Sequence, residues 1–358
     1  FLDPESINNI SKNSYQTFLG LFNWIPQIFL FIGFQKYLKS NNERRNCAIV
    51  LISGSIPVIF SCLSQSLLNW HGPMQTLFGL IVWYQRPIDG FTSITGLFSN
   101  PNYLAAWLNI IWPFSLGFIF FDNKNIYKII IKILLTTSIA ILIILTASRS
   151  AWICLLLPIP LIYPSPIRKY FFYLVSLIFL FVTNLSFPIF GVGFQNLLRQ
   201  IIPQGLWINF TYMGFETLDM SRIDIWKQAL NFSLNKPIFG YGSSSFTTLL
   251  FDQTSIWKGH AHNLPLELMV SYGIPTALII LIPIFYLLYK TCKKLTFNNA
   301  KFNKHTIIDK AWFVSLFILV LMNLVDIQYF DGRISITGWI LLAGARNIII
   351  EDKINESF

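Results

Sequence analysis

Residues 129–145 read IIIKILLTTSIAILIIL, and this stretch decides the fold class of the chain. It carries one charged residue, Lys132, which lies near enough to one end for its ammonium group to reach the membrane surface. A helix needs about 20 mostly apolar residues to cross the hydrocarbon of a bilayer. The segment therefore predicts a transmembrane helix.

The rest of the chain has the same character. Hydrophobic residues make up 54% of the 358 residues and charged residues only 12%, whereas a soluble domain usually has about 25% charged residues. This composition excludes a soluble, disordered or fibrous protein and predicts an all-α polytopic membrane protein. About nine transmembrane helices are predicted, at 18–38, 47–68, 101–121, 129–145, 151–163, 170–190, 264–289, 311–325 and 335–349.

The lysine and arginine residues set the orientation of these spans. Short loops on one side of the membrane hold 17 of them, and short loops on the other side hold four. The positive-inside rule places the first side in the cytoplasm. These loops also explain the net charge of +10, so no nucleic-acid partner is predicted.

The predicted organisation has five parts. They are an external N-terminal segment at 1–17, six spans within 18–190, a large periplasmic loop at 191–263, three spans within 264–349 and a cytoplasmic tail at 350–358. Because the sequence begins with phenylalanine rather than methionine, upstream spans are expected to be missing. An aromatic-rich external segment at 69–100 is expected to lie at the membrane interface.

Ionisable residues are nearly absent from the middle of the spans, which argues against an ion-coupled carrier. The polar groups gather instead on the external side. Arg149, in the sequence TASRSAW at 146–152, lies there against the charge rule. It either snorkels to lipid phosphate or binds an anion, for which a guanidinium fork is well suited.

A second arginine begins a predicted helix in the large loop, where residues 221–230 read SRIDIWKQAL. Ser221 and Asp224 resemble a capping box. Ile223, Trp226, Ala229 and Leu230 fall on one face and make this helix amphipathic. Arg222, in its first turn, is either a solvated surface residue or a cation that shares an anionic ligand with the free N–H groups of the helix.

Two histidines precede the seventh span, in the sequence HAHNLPLE at 260–267. A histidine there can take a proton from a hydroxyl group at neutral pH, although a buried interfacial role is open. A metal site is disfavoured because further cysteine or histidine ligands are missing. Glu267 could orient a histidine or the acceptor, or pair with an arginine.

Two turns complete the set of candidates. The sequence PIFGYGSSSF at 237–246 favours a plain turn, because it lacks the lysine and the spacing of a P-loop. The sequence DIQYFDGR at 326–333 contains Asp331 and Arg333, which form either a local ion pair or one wall of a site.

The predicted topology places these groups on one membrane face. Two arginines and a histidine suit a reaction with a diphosphate leaving group and a hydroxyl acceptor, because arginines stabilise the charge that develops on the diphosphate. The set comprises Arg149, Arg222, His262, Glu267 and Asp331.

These motifs and their order resemble the O-antigen ligase superfamily of integral-membrane glycosyltransferases. The resemblance covers roughly 90–290. It rests on the TASRSAW motif, on Arg222 and Trp226 followed by the 237–242 turn, and on His262, Asn263 and Glu267 followed by Gly273. Members commonly have about twelve spans, so the resemblance implies that about three spans are missing upstream.

The resemblance implies a GT-C-like, metal-independent and inverting enzyme without a cofactor. A glycan would move from an undecaprenyl-type polyprenyl diphosphate to an acceptor hydroxyl at the outer face of the plasma membrane, in lipopolysaccharide or other surface polysaccharide biosynthesis. Arg149 and Arg222 would contact the diphosphate, and His262 would activate the acceptor. Further substrate contacts would come from Asn263, Glu267, Asp331 and Arg333.

Alternatives remain open from the sequence. An O-antigen polymerase or a protein O-oligosaccharyltransferase would carry the same motifs and differ only in the acceptor. A membrane transporter of the inorganic-carbon type is an alternative of a different class, and a scaffold in an envelope assembly is another. The sequence identifies neither the sugar nor the acceptor.

Overall fold

The structure is a computed structural model that describes residues 20–88, 93–119, 125–163, 165–202, 220–297 and 304–355. These residues are mostly helical, and they contain 14 α-helices and one two-stranded β-hairpin. The predicted N-terminal segment 1–17, residues 203–219 of the large loop and the last three residues of the tail lie outside the described residues.

The helices are numbered in chain order. They are α1 (Ile25–Gln35), α2 (Asn41–Leu67), α3 (Pro101–Ile119), α4 (Ile126–Leu145), α5 (Arg149–Leu156), α6 (Pro158–Ile162), α7 (Ser165–Ser186), α8 (Val192–Ile201), α9 (Arg222–Asn235), α10 (Ser245–Thr254), α11 (Leu264–Tyr272), α12 (Ile274–Phe297), α13 (Lys304–Val325) and α14 (Gly332–Asn355). The strands are β1 (Gly72–Thr76) and β2 (Ile81–Gln85).

Six of the described helices are long and apolar enough to cross a membrane, so the chain is a multi-pass membrane protein. They are Asn41–Leu67, Ile126–Leu145, Ile167–Ser186, Ile274–Leu295, Thr306–Val325 and Gly332–Glu351. The predicted count of nine is not confirmed. At about 1.5 Å per residue, the 11 residues of α1 are too short to span, and a break before Pro158 separates α5 from α6. Polar residues such as Asn102 and Asn109 lower the hydropathy of α3.

The described chain divides into two compact units. The first, here called the hairpin unit, spans 41–216 and 298–318. Its core surrounds α3, where Trp112 donates a hydrogen bond to the Leu155 carbonyl oxygen and Phe114 packs edge-on against Trp312. Arg44, which is fully buried, pairs with the Asp309 carboxylate through two hydrogen bonds of 2.7 and 3.0 Å.

The β-hairpin of this unit departs from the predicted all-α fold. β1 and β2 pair antiparallel, with Gly72 opposite Gln85 and Thr76 opposite Ile81. Its base is fixed to the end of α2, because the amide of Gln85 donates to the Ser61 hydroxyl and carbonyl oxygens. The hairpin therefore begins where a membrane span ends.

The second unit, here called the histidine unit, spans 1–40, 217–297 and 319–358. One core packs α9, α10 and α11 together. The buried face of α9 carries Ile225, Ala229 and Phe232, whereas the predicted face was wrong at Ile223 and Leu230, which are exposed. A second core joins Trp24, Leu264, Leu268, Ala277 and Ile327.

The predicted span 264–289 is two helices rather than one. Gly273 separates α11 from α12 with a φ of 83°, a value that suits glycine. α14 extends through residues 350–355, which were predicted to be part of the cytoplasmic tail.

Candidate functional site

The turn that carries both histidines ends at Asn263, which caps α11. The Asn263 side-chain oxygen accepts a hydrogen bond from the Leu266 N–H at 3.0 Å, and its amide nitrogen donates to the Leu324 carbonyl oxygen at 2.8 Å. The first contact satisfies a free N–H of the helix, which is why asparagine is favoured here. The second ties the turn to the end of α13.

His262 is held in a strained backbone conformation, with a φ of 50°. Two contacts hold the turn in this form. The indole N–H of Trp226 donates to the His262 carbonyl oxygen at 3.3 Å, and the Ala261 N–H donates to Glu267 at 2.9 Å. Strained backbone at a non-glycine residue persists where its surroundings enforce it, and such residues cluster at functional sites.

The His262 ring faces the carboxylate of Asp326, with 2.8 Å between Nδ1 and Oδ1. An ionised carboxylate can only accept, so in the neutral imidazole Nδ1 carries the proton and Nε2 has the lone pair. Asp326 is buried, and about a quarter of the His262 side chain is exposed. This geometry suits an oriented base with its acidic partner behind it.

The pKa of Asp326 is lowered. Burial raises it, but the hydrogen bond from His262 and the charges of His262, His260 and Arg222 together outweigh burial. The carboxylate is therefore ionised at neutral pH.

His260 packs beside His262 with the ring centroids 4.3 Å apart. Burial, together with the charges of His262 and Arg222, lowers the pKa of His260 to about 4 against the opposing effect of Asp326. His260 is therefore neutral at pH 7. Its Nδ1 accepts a hydrogen bond from the His262 backbone N–H at 3.2 Å, so the proton lies on Nε2.

This tautomer bears on metal binding. The ligand atoms of His260, His262 and Asp326 lie within 4.8 Å of one another, close enough to hold an ion. A histidine that ligates a metal normally donates its other N–H to an acceptor. The Nδ1 of His260 accepts instead, so its Nε2 is protonated and does not offer a lone pair to a metal while this hydrogen bond persists.

Arg222 lies at the first position of α9, one turn before Trp226 on the same face of the helix. Because Trp226 contacts His262, this face is turned toward the histidines, and the charge of Arg222 acts on both His260 and Asp326. The predicted cap is confirmed: Ser221 accepts from the Asp224 N–H and donates its hydroxyl to the Asp224 carboxylate. The Arg222 side chain is exposed.

Glu267 is buried and accepts from the Ala261 N–H. Burial raises the pKa of Glu267 to about 7, and this hydrogen bond opposes the increase. This hydrogen bond holds the histidine turn in place, so the Glu267 side chain acts on the backbone of the turn.

The 237–242 segment forms a turn that packs against the end of α11, and α10 begins at Ser245, within the predicted turn 237–246. The Tyr241 and Gly242 N–H groups donate to the Val270 and Ser271 carbonyl oxygens at the end of α11, and the Ile274 N–H donates to Pro237. A Cβ atom on Gly273 would lie 2.1 Å from the Ile238 carbonyl oxygen. The two segments therefore touch backbone to backbone.

Asp331 and Arg333 form an ion pair with contacts of 2.5 and 3.0 Å at the start of α14. This is the local pair that the sequence left open. The acid that contacts His262 is Asp326, five residues earlier. Asp326 stands in the same sequence motif but was not among the predicted site residues. Its position directly after an apolar span mirrors that of the histidines directly before one, and this symmetry could have identified it.

Arg149 begins α5 in the hairpin unit, whereas Arg222 and His262 belong to the histidine unit. The TASRSAW motif forms a tight turn, in which Ala147 has a φ of 53° and the Trp152 indole donates to the Ile144 carbonyl oxygen. The turn leaves the Arg149 side chain exposed. Its place in a common site with His262 stays a prediction.

Comparison with known families agrees with the motifs. The family model described as O-antigen ligase (Wzy_C) matches residues 133–281, a range that contains Arg149, Arg222 and His262, and the match supports membership of the O-antigen ligase superfamily. This family implies glycosyltransferase-type activity in surface polysaccharide biosynthesis, with a lipid-linked glycan donor and an acceptor. No curated protein matches the chain.

Proposed function

We propose that this member of the O-antigen ligase superfamily transfers a glycan from a polyprenyl-diphosphate carrier to an acceptor hydroxyl at the outer face of the plasma membrane. The observation that carries the proposal is the Asp326–His262 pair, which leaves His262 Nε2 as a free base in a partly exposed turn. An oriented histidine of this kind is suited to general-base catalysis.

In the proposed reaction, Nε2 of His262 takes the proton of the acceptor hydroxyl as its oxygen attacks the anomeric carbon of the donor. The bond between that carbon and the diphosphate oxygen breaks, and the electron pair leaves with the diphosphate. Attack opposite the leaving group inverts the anomeric centre. Asp326 stabilises the imidazolium that forms, and the neutral His260 adds no second positive charge.

Arg222 is proposed to stabilise the departing diphosphate, because its cation lies at the N-terminus of α9, where the helix also favours an anion. Arg149 is proposed to make a second contact of this kind, supported by its motif. Asn263 and Glu267 then act by holding the turn. For Asp331 and Arg333 the proposed substrate contact would use the exposed side of their ion pair.

An apolar groove in the histidine unit is the proposed binding site for the lipid part of the donor. It has a volume of about 380 Å³ and lies between α1, α12 and α14, with Trp24, Tyr272 and Trp339 among its lining residues. Trp24 stacks on Tyr329, which belongs to the same turn as Asp326, at a centroid distance of 4.6 Å. A hydrocarbon chain in this groove would have its polar end near that turn.

In the proposed topology, the loop that contains α9 and α10 lies on the periplasmic side, as predicted from the lysine and arginine residues. The proposed transfer uses no metal, and the tautomer of His260 supports this part of the proposal. The acceptor is a glycan, a lipid or a protein hydroxyl, so ligase, polymerase and protein O-oligosaccharyltransferase activities all fit the same base.

The test is transfer by the full-length protein in lipid vesicles, from a polyprenyl-diphosphate glycan to a panel of these three acceptors, with and without a chelator. The variants are His262→Ala and Arg222→Ala, and His71→Ala is the matched control because His71 is an exposed histidine outside this turn. We expect transfer that survives the chelator and the control variant and is lost in both site variants. Equal activity in all variants would contradict the proposal and favour a transporter or a scaffold.

A further inference from the structure

The turn of the β-hairpin, Leu77–Gly79 with Leu80, projects apolar side chains away from the protein. Phe78 is fully exposed, Leu80 is 82% exposed and Leu77 is 62% exposed. Ile81 and Val82, at the start of β2, are also exposed. Single exposed apolar residues are ordinary, but a contiguous apolar tip of this kind marks a surface that is covered in the working protein.

The backbone of this turn is strained, and the strained residues are those whose apolar side chains are exposed. Leu77 and Phe78 have φ angles of 51° and 56°, in the left-handed region that glycine or asparagine would occupy more easily. The turn therefore keeps large apolar residues where small or polar ones would be more stable in water.

The hairpin also lacks the charges of a surface exposed to water. No lysine, arginine, aspartate or glutamate occurs from Leu67 to Gln85, and the next charged residue is Arg86. A protein partner would be expected to meet a polar rim around an apolar centre. The absence of any charged rim favours lipid hydrocarbon over a protein surface.

The position of the hairpin continues a lipid-facing surface. The membrane span α2 ends at Leu67, and its outward side exposes Phe60, Leu63 and Leu67. β1 begins five residues later, and Gln85 returns β2 to Ser61 in the last turns of the same helix. Trp70 and Tyr84, at the base, are about half exposed, as aromatic residues at the headgroup level of a membrane commonly are.

We propose that this hairpin lies against the outer leaflet beside α2 and inserts Leu77, Phe78 and Leu80 into the acyl region of the lipid. Trp70 and Tyr84 lie at the headgroups. The hairpin is then an interfacial anchor that fixes the depth and rotation of α2. This inference does not depend on glycan transfer, since it concerns a surface of the hairpin unit alone.

The test measures the surroundings of single nitroxide labels in the full-length protein, reconstituted in phosphatidylethanolamine and phosphatidylglycerol vesicles. The four native cysteines are first replaced, and labels are placed at Phe78→Cys and, independently, at Leu80→Cys. Lys227→Cys on α9 is the control, because the Lys227 side chain is 71% exposed on an external helix. Collision rates with oxygen, which partitions into lipid, are compared with those of a water-soluble nickel complex.

We expect the ratio of oxygen to nickel collisions at both hairpin sites to exceed that at Lys227 several-fold. A label at Phe78 as accessible to nickel as the label at Lys227 would overturn the proposal. Exclusion of both reagents would also overturn it, because the tip would then be covered by protein.

Discussion

The turn at residues 260–263 and the turn at residues 77–80 both hold non-glycine residues in the left-handed region, but they are held by different means. The histidine turn is held by polar contacts, in which Trp226 and Asp326 bond to His262 and Glu267 accepts from the N–H of Ala261. The hairpin turn closes through a backbone hydrogen bond from the Leu80 N–H to the Leu77 carbonyl oxygen. The first arrangement fixes a ring against a carboxylate, and the second fixes which side chains face outward. The contacts around the two strained turns differ in the way that the two proposed roles differ, which are chemistry at the first turn and anchoring at the second.

The largest expected contrast comes from removing the central side chain of each turn. His262→Ala is expected to lower the transfer rate about 10²–10⁴-fold, the usual contribution of a general base. Phe78→Ala is expected to leave the rate within about twofold, since no reacting group is lost. Transfer rates in vesicles at saturating donor measure the difference. A similar loss in both variants would mean that the two turns do not differ in their effect on transfer.

Asp326→Asn sharpens the assignment of the first turn. An asparagine can donate its amide N–H to Nδ1 of His262, which moves the imidazole proton to Nε2 and removes the free base. We expect a loss of about 10²–10³-fold in the rate, below the loss of about 10⁴-fold that follows replacement of the supporting aspartate in a catalytic triad. Asp252→Asn is the matched control, because Asp252 is an exposed residue of α10 to which no contact with the substrate is assigned. An equal or larger loss in the control would contradict the role of Asp326.

Glu267→Gln tests the support beneath the histidine turn. Because the folded-state pKa of Glu267 is raised from 4.5 to about 7, the wild type loses stability as the pH rises from about 4.5 to 7 and no further above it. Glutamine keeps an acceptor for the Ala261 N–H without ionising. The variant is expected to gain about 1–3 kcal/mol relative to wild type between pH 5 and pH 8. Thermal unfolding at the two pH values measures this gain, and an equal difference at both would show that Glu267 is not titrating.

The smallest expected effect concerns the hairpin backbone. Phe78→Gly relieves the left-handed strain but removes the apolar side chain, so the free energy of unfolding in detergent is expected to change by less than about 1 kcal/mol. Gly193→Ala in α8 is a suitable comparison, since a Cβ atom there meets open space. Chemical denaturation of the Phe78→Gly and Gly193→Ala variants in detergent measures the two free energies of unfolding. A loss of several kcal/mol in Phe78→Gly would mean that the Phe78 ring packs against protein.

The sequence was sufficient for features that depend on neighbours along the chain. Hydropathy identified the long apolar helices, and the Ser221 cap followed from spacing alone. The motifs around Arg149, Arg222 and His262 were sufficient to indicate the family whose model matches residues 133–281. These are local patterns, which can be recognised without knowing which distant residues meet in the folded protein.

Features that depend on distant partners could not be predicted. His262 and Asp326 are 64 residues apart, so nothing in either segment states that they meet. The break at Gly273 depends on the close approach of Ile238, and an apolar run alone reads as one helix. The hairpin was missed because its turn is apolar apart from Gly79 and lacks the asparagine–glycine pair that is typical of two-residue hairpin turns.

The break at Gly273 separates the mechanical duties of the two helices that meet there. α11 belongs to the core that it forms with α9 and α10, while α12 is long and apolar enough to cross a membrane. The Pro237–Gly242 segment holds both sides of the joint through backbone hydrogen bonds. We therefore expect a change in bilayer thickness to alter the angle of α12 at this joint and to leave the geometry of the histidine turn, at the other end of α11, unchanged.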